Sequence, residues 1–239
     1  MKIGLPQDRA ERGSYRRRWA LTVVAAGVIA VLLAIAAGWF IWLPAYRPAL
    51  APGESYGIDV SAYQHQIDWH QVARQHISFA YIKATEGATW TDSMFAANWS
   101  GAASVGIPHG AYHFFSLCST GAAQAQNFLR AHPAAPGGLA PAIDLELAGN
   151  CSRRPPPRAV AVQLNSFVRL VEAATRQRVV IYLGSDFAHH YNLTLYSRHQ
   201  LWIRRFLLRP TGRWTIWQVD GNAHVGGIHG DVDLDIGRA

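Results

Sequence analysis

The chain has 239 residues, of which half are hydrophobic, 11% aromatic and only 15% charged. A chain so rich in apolar side chains is not intrinsically disordered, and its length suits one sizeable domain with an accessory segment. Its two cysteines exclude a disulfide-dense scaffold and a multi-cysteine zinc site.

The formal charge of +7 is unevenly placed. The first 18 residues carry Lys2, Arg9, Arg12, Arg16, Arg17 and Arg18 against Asp8 and Glu11, so the remainder is only mildly basic. Residues 19–43 (WALTVVAAGVIAVLLAIAAGWFIWL) then run without a charge or a proline. As a helix they span about 37 Å, against roughly 30 Å for the hydrocarbon core of a bilayer. Trp19 at one end and Trp39, Phe40 and Trp42 at the other match the aromatic belts of a membrane span. The basic flank keeps the N-terminus cytoplasmic and sends the chain beyond residue 43 to the exported side. The basic tail is thus a topogenic signal and no nucleic acid is expected as partner. A cleaved signal peptide is the other reading, with small residues at 34–37, although the apolar run is long for one. The expected organisation is a cytoplasmic tail (1–18), a membrane helix (19–43), a Pro-rich linker (44–55) and an exported domain (56–239), placed on the periplasmic side of an inner membrane.

Along the exported part, short apolar or β-branched runs alternate with helical stretches. Strands are expected at 56–61, 77–84, 108–115, 139–147, 178–184, 200–206, 214–220 and 228–236. Helices are expected at 68–75, 94–105, 120–131 and 157–177, three of them opened by Asp68, Thr120 or Pro157. This alternation predicts an α/β fold, and eight strands predict a parallel β/α barrel. The last strands lie too close together for full helices between them, so a modified barrel is expected, with helices lost from its final units.

Most acidic residues of this part, such as Asp92 and Glu172, read as solvated or capping groups. Four do not: Asp59 in GIDVS, Asp144 and Glu146 in AIDLEL, and Asp233 in GDVDLD. Alternation along a strand turns residues 144 and 146 to the same face, with Cα atoms about 6.5–7 Å apart. Like charges at that range push one carboxyl towards its protonated form, the pairing that glycosidic bond hydrolysis requires.

These carboxylates sit in a longer pattern: GIDVSAYQHQIDWHQVARQHISFAYIKATEG, then GIPHGAYHFF, PAIDLEL, WTIWQVDG and GIHGDVDLDIG. In this order the exported domain resembles glycoside hydrolase family 25, the peptidoglycan-cleaving lysozymes, over nearly all of residues 56–237. The resemblance implies a somewhat flattened β/α barrel and hydrolysis of the β-1,4 bond between N-acetylmuramic acid and N-acetylglucosamine in peptidoglycan. It places the general acid on Glu146 and its assisting partner on Asp144, with Asp59 beside them. Asp233, Tyr63, Lys83, Glu86, Tyr112, Tyr182 and Gln218 fall on positions that line the family's cleft. Departures are Gln64-His65 where the family has Gln-Gly, Asp235 where it has Asn, and Arg204-Arg205 where a smaller residue is usual. A non-catalytic glycan-binding protein and a hydrolase of another aminosugar polymer are the rival readings.

Cys118 and Cys151 follow neighbouring strands, so the two are expected either to form a disulfide or to stand as separate thiols. None of the eleven histidines falls in a metal-binding spacing, and neither metal nor cofactor is expected. His113 is read either at the barrel mouth or as a core histidine. At most one of Trp214 and Trp217 is expected to stack on a sugar. A monomer is expected.

Overall fold

In the computed structural model the described residues are 7–131, 138–149, 151–192 and 197–238. The first six residues of the expected cytoplasmic tail therefore lie outside the described part. The chain forms two compact units, Met1–Tyr46 and Arg47–Ala239.

The first unit is one long helix. α1 (Gln7–Ala37) runs into a π-turn, Gly38–Trp42, and a last helical turn, α2 (Leu43–Ala45). Pro44 has no N–H to offer the carbonyl one turn back, and before it the ladder is wound wider, Leu43 N donating to Gly38 O. The most apolar 18-residue window of Arg16–Ala45 has a mean hydropathy of 2.7, and none of it is buried. It is long and apolar enough to cross a membrane.

The second unit is an eight-stranded closed barrel. Its strands are β1 (Glu54–Val60), β2 (Ile77–Glu86), β4 (His109–Phe114), β5 (Ala142–Leu145), β6 (Val180–Leu183), β7 (Leu201–Arg204), β8 (Ile216–Ala223) and β9 (Val232–Arg238), with β3 (Trp90–Thr91) a short hairpin arm on β2. The order β1-β9-β8-β7-β6-β5-β4-β2 is closed by the pairing of β1 with β2. Helices α3 (Trp69–Ala73), α4 (Phe95–Ser104), α5 (Gly121–Ala131), α6 (Pro157–Thr175) and α7 (Ser185–His190) fill the connections between the early strands.

Three features differ from the sequence expectation. The barrel is parallel from β1 to β8, but β9 is antiparallel to both of its neighbours. The connection between Ala223 and Val232 is too short for a parallel crossover, which takes a dozen residues or more. The strand expected over 139–147 is only Ala142–Leu145; beyond it the N–H groups of Leu147 and Ala148 go to the Asp186 carboxylate instead of a ladder. Residues 47–49 do not run free as part of a linker. Arg47 donates to His224 O, Tyr56 to Pro48 O and Arg209 to Ala49 O.

The core has two layers, as period-2 alternation requires. Inside the barrel, Phe79, Tyr81, Tyr112, Val180, Tyr182, Trp202 and Ile216 pack together. Phe79 fits because two strands opposite it carry glycine: a Cβ on Gly57 or Gly237 would stand 2.2 or 2.8 Å from its ring. Outside, Ile58, Ile82, Ile143, Ile181 and Leu234 face Val72, Phe128, Leu164 and Phe167 of the helices. His113 belongs to this outer layer and not to the mouth. Its ring stacks on Phe167, bonds Thr85 Oγ1 at 2.7 Å and donates to Gln124 Oε1 at 3.1 Å. Burial pushes it down to about 4, so the ring is neutral.

Cys118 and Cys151 form a disulfide with Cα atoms 5.9 Å apart, joining the loops that follow β4 and β5. Closing a loop of 33 residues restricts the unfolded chain. Replacing both cysteines by serine is expected to cost roughly 2–4 kcal/mol of stability, read by denaturant unfolding beside the parent. An unchanged midpoint would show that the bridge contributes no stability.

Candidate active site

The upper interior of the barrel is polar because alternate residues of each strand continue the apolar layer upward with different chemistry. β1 brings Asp59, β2 Lys83, β4 Tyr112, β5 Asp144, β6 Tyr182, β7 Arg204, β8 Gln218 and β9 Asp233. With Glu146, which stands just past the end of β5, they line a cavity of about 620 Å³. Being antiparallel, β9 delivers Asp233 from its N-terminal end, directly opposite Asp59 in the ladder. Register does the rest: Asp144 pairs with Tyr182 on β6, and Arg204 with Gln218 on β8.

Hydrogen bonds link these groups into a floor. Tyr182 donates to Gln218 Oε1 at 2.8 Å, and Gln218 Nε2 donates to Asp59 Oδ2 at 3.0 Å. Below, Trp202 Nε1 donates to Asp235 Oδ1 at 2.8 Å, and Asp235 lies close enough to Asp59 for the two carboxyls to interact. Asp144 Oδ1 and Asp235 Oδ2 are buried without a partner. A carboxyl oxygen left that way favours the neutral acid.

The electrostatics follow from crowding. Burial, reinforced by the Glu146 charge, pushes Asp59 up to about 7 against the opposing Gln218 bond. Burial and the charges of Glu146 and Asp59 hold Asp144 well above the usual carboxylate range. Burial and Asp59 do the same to Asp233 and Asp235. Carboxyl groups this close in a low-dielectric interior do not all ionise together, so the cluster retains protons near neutrality.

Nearly all the residues expected in the cleft reach it. Tyr63 stands at the rim, 86% exposed, on a short 3₁₀ turn, Ala62–Gln64. Ser61 Oγ accepts from Tyr63 N, Gln64 Oε1 from Ser61 N, and Asp92 Oδ2 from Ala62 N. Asp92 is therefore a buried tie, capping α4 through Met94 N as well, and not a solvated group. Glu86 is outside the cavity lining; its carboxylate takes Lys83 Nζ at 2.8 Å, while that ammonium lies over the faces of Trp90 and Phe114. Neither Trp214 nor Trp217 lines the cavity. Both are buried with their rings edge to face at 6.2 Å, and the tryptophan in the cleft is Trp202.

Three residues that the sequence pattern does not single out for the site are tied to it by the structure, Arg204 in the cavity wall and Asp235 and Asp186 behind it. Asp235 shares the face of Asp233 by simple alternation, and that signal is present in VDLDI. Arg204 stands out in the sequence only as a departure; its Nη1 donates to Glu146 Oε2 at 2.9 Å and its Nη2 lies 3.6 Å from Asp186 Oδ1. Asp186 opens α7, a six-residue helix without an apolar stripe to reveal it. Among the described residues, no group of three or more His, Cys, Asp or Glu side chains is arranged to hold a metal ion.

A parallel-stranded barrel with a carboxyl cluster in an open cleft at its strand ends has the architecture of a glycoside hydrolase. The chain belongs to the glycosyl hydrolases family 25, whose sequence pattern matches residues 58–228. The family 25 glycosyl hydrolase of Bacillus anthracis superposes with a TM-score of 0.75 at 32% identity, over 81% of this chain and 93% of that one. The bacterial lysozyme of Streptomyces coelicolor gives 0.70 at 31% identity, over 77% and 92%. Lysozyme M1 of Streptomyces globisporus is 34% identical over 194 residues, 74% of this chain and 65% of that protein.

The raised carboxyl groups make stability depend on pH. Between the ordinary aspartate value and about 7, folded Asp59 binds a proton that the unfolded chain has lost. Stability therefore falls as pH rises through that window, opposite to the behaviour of a salt-bridged aspartate. The melting temperature is expected to be several degrees higher at pH 5 than at pH 8. Asp235→Asn, which removes one of the crowded carboxyls, should reduce the difference. A flat or rising melting profile across this range would refute the crowding account.

Proposed function

We propose that this hydrolase cleaves the β-1,4 bond between N-acetylmuramic acid and N-acetylglucosamine in peptidoglycan, with Glu146 as general acid and Asp144 assisting. The observation that carries the reading is the placement of these two carboxyls two residues apart at the end of β5, both lining the same open cavity. Glu146 gives its proton to the leaving glycosidic oxygen as the C1–O bond breaks. The carbonyl oxygen of the muramic acid's own acetamido group closes on C1, and the carbonyl oxygen of the Asp144 carboxyl accepts a hydrogen bond from that group's N–H, which strengthens as the ring forms. Water then attacks C1, delivers its proton to Glu146 and reopens the acetamido ring, so that configuration is retained. Such substrate assistance is an alternative to the two-carboxylate scheme with a protein nucleophile. Asp59, held by Gln218, and Asp233 bind sugar hydroxyls and set the field around the pair. Lys83, Tyr112, Tyr182 and Tyr63 shape the remaining walls, with Tyr63 at the rim.

In the same reading, residues 19–43 span a bilayer, the basic tail stays in the cytoplasm and the barrel works on the exported side. The length and hydropathy of the helix support this. The segment that follows the helix, residues 44–55, is short and Pro-rich, which suits an enzyme acting on wall close to the membrane.

Two experiments test these statements. Purified peptidoglycan is incubated with the full chain in mild detergent, wild type beside Glu146→Gln, and the products are read by mass spectrometry. New reducing N-acetylmuramic acid ends from the wild type alone are expected; reducing N-acetylglucosamine ends, or an active Glu146→Gln, would overturn the assignment. For the anchor, membranes from expressing cells are washed with alkaline carbonate, and the full chain is expected in the pellet. Release into the supernatant would refute the span, and protection of the barrel from protease added to spheroplasts would refute the orientation.

A further inference from the structure

Glu146 leaves β5 just where the strand ends, so its carboxyl is not fixed by a ladder. It is fixed by a residue that is neither in the cavity lining nor in the family pattern quoted above. Asp186 Oδ2 accepts from Leu147 N at 3.1 Å and from Ala148 N at 3.2 Å, the two amides that follow Glu146. Asp186 Oδ1 lies 3.6 Å from Arg204 Nη2, and the Nη1 of the same guanidinium donates to Glu146 Oε2 at 2.9 Å. One carboxylate thus holds Glu146 at both ends, through its backbone and through its side chain. Gly184 leaves room for this: a Cβ there would stand 2.8 Å from Asp186 Oδ1 and 3.2 Å from Glu146 Cγ.

We propose that Asp186 and Arg204 are positioning residues that aim the Glu146 carboxyl at the glycosidic oxygen. The proposal rests on the reading of Glu146 as the acid. Arg204 presents a rigid planar fork, which suits it to bridge two carboxylates. A misplacement of about 1 Å in a catalytic group lowers turnover about a hundredfold.

Leaving-group dependence separates this role from a merely structural one. A glycan leaving group departs only with a proton from the acid, whereas dinitrophenolate departs without one. Full-length Asp186→Asn, Arg204→Ala and Arg204→Lys are assayed in detergent on N-acetylglucosaminyl–N-acetylmuramic acid oligomers and on the 2,4-dinitrophenyl β-glycoside of the same disaccharide. On the oligomers, kcat is expected to fall about 10–100-fold for Asp186→Asn and Arg204→Ala, with KM within about threefold. On the dinitrophenyl glycoside the burst of dinitrophenolate, which reports bond cleavage alone, should stay within about threefold of wild type for these variants, and Arg204→Lys should recover part of the loss on oligomers. Equal losses on both substrates, or no loss on oligomers, would overturn the proposal. Glu146→Gln is the control for the underlying reading. If it is rescued by dinitrophenolate and the other variants are not, only the positioning role fails. If Glu146→Gln itself gives no burst of dinitrophenolate, the readout of bond cleavage before Glu146 is needed as base, the assignment of the acid fails.

Discussion

Five carboxyl groups, those of Asp59, Asp144, Glu146, Asp233 and Asp235, share one end of a barrel interior, and most of the architecture around them answers to that crowding. An isolated buried carboxylate is expensive, and several side by side more so. The protein manages the cost in two ways. Burial and mutual repulsion raise Asp59, Asp144, Asp233 and Asp235, so protons are retained within the cluster. Neutral donors are also aimed at particular oxygens: Gln218 at Asp59 and Trp202 at Asp235. Tyr112 and Tyr182 are themselves pushed well above the usual phenol value by burial and by these charges, so they stay protonated beside the cluster.

The antiparallel last strand is part of the same solution. A parallel strand brings its C-terminal residues to the catalytic end of a barrel; β9 runs the other way and brings its beginning. Asp233 therefore meets the cleft while Asp235, two residues further on, sits one layer deeper against Trp202 and Asp59. The strand that closes the barrel so supplies one carboxyl to the cavity and one to its floor. The short return from β8 that imposes this direction also carries His229, Gly230 and Asp231 to the cavity wall.

Strand positions, the acidic pair on β5 and the aspartates of β1 and β9 are legible in the sequence because a period of two is a local signal. Directions and partners are less so. The direction of β9 depends on a connection length whose shortness is plain in the sequence but reads equally well as a lost helix. Glu86 is expected in the cleft because the family resemblance puts it there, yet its spacing of three from Lys83 lets it pair with that lysine instead. Asp92 reads as a solvated or capping group, and its bond to Met94 N two residues on agrees with the second; its bond to Ala62 N, 30 positions away, has no local signal. Trp202, Arg204 and Asp186 acquire their meaning from contacts with residues 33, 58 and 39 positions away in the chain. No window of sequence contains such contacts.

The two departures from the family pattern that touch the cleft have opposite physical characters. His65 stands where glycine is usual and keeps a backbone with φ +52 and ψ −137, which a side chain resists. It persists because the turn is fixed by other bonds: Gln64 holds Ser61 N and reaches Asp231 O, while Asp92 holds Ala62 N. Arg204, by contrast, relieves a difficulty. A cation placed among carboxyls offsets part of their repulsion, and its two nitrogens meet Glu146 and Asp186 separately. The first departure is borne by the surrounding structure. The second becomes part of it, since the guanidinium that replaces a small residue is now what connects the carboxyl of Glu146 to the helix after β6.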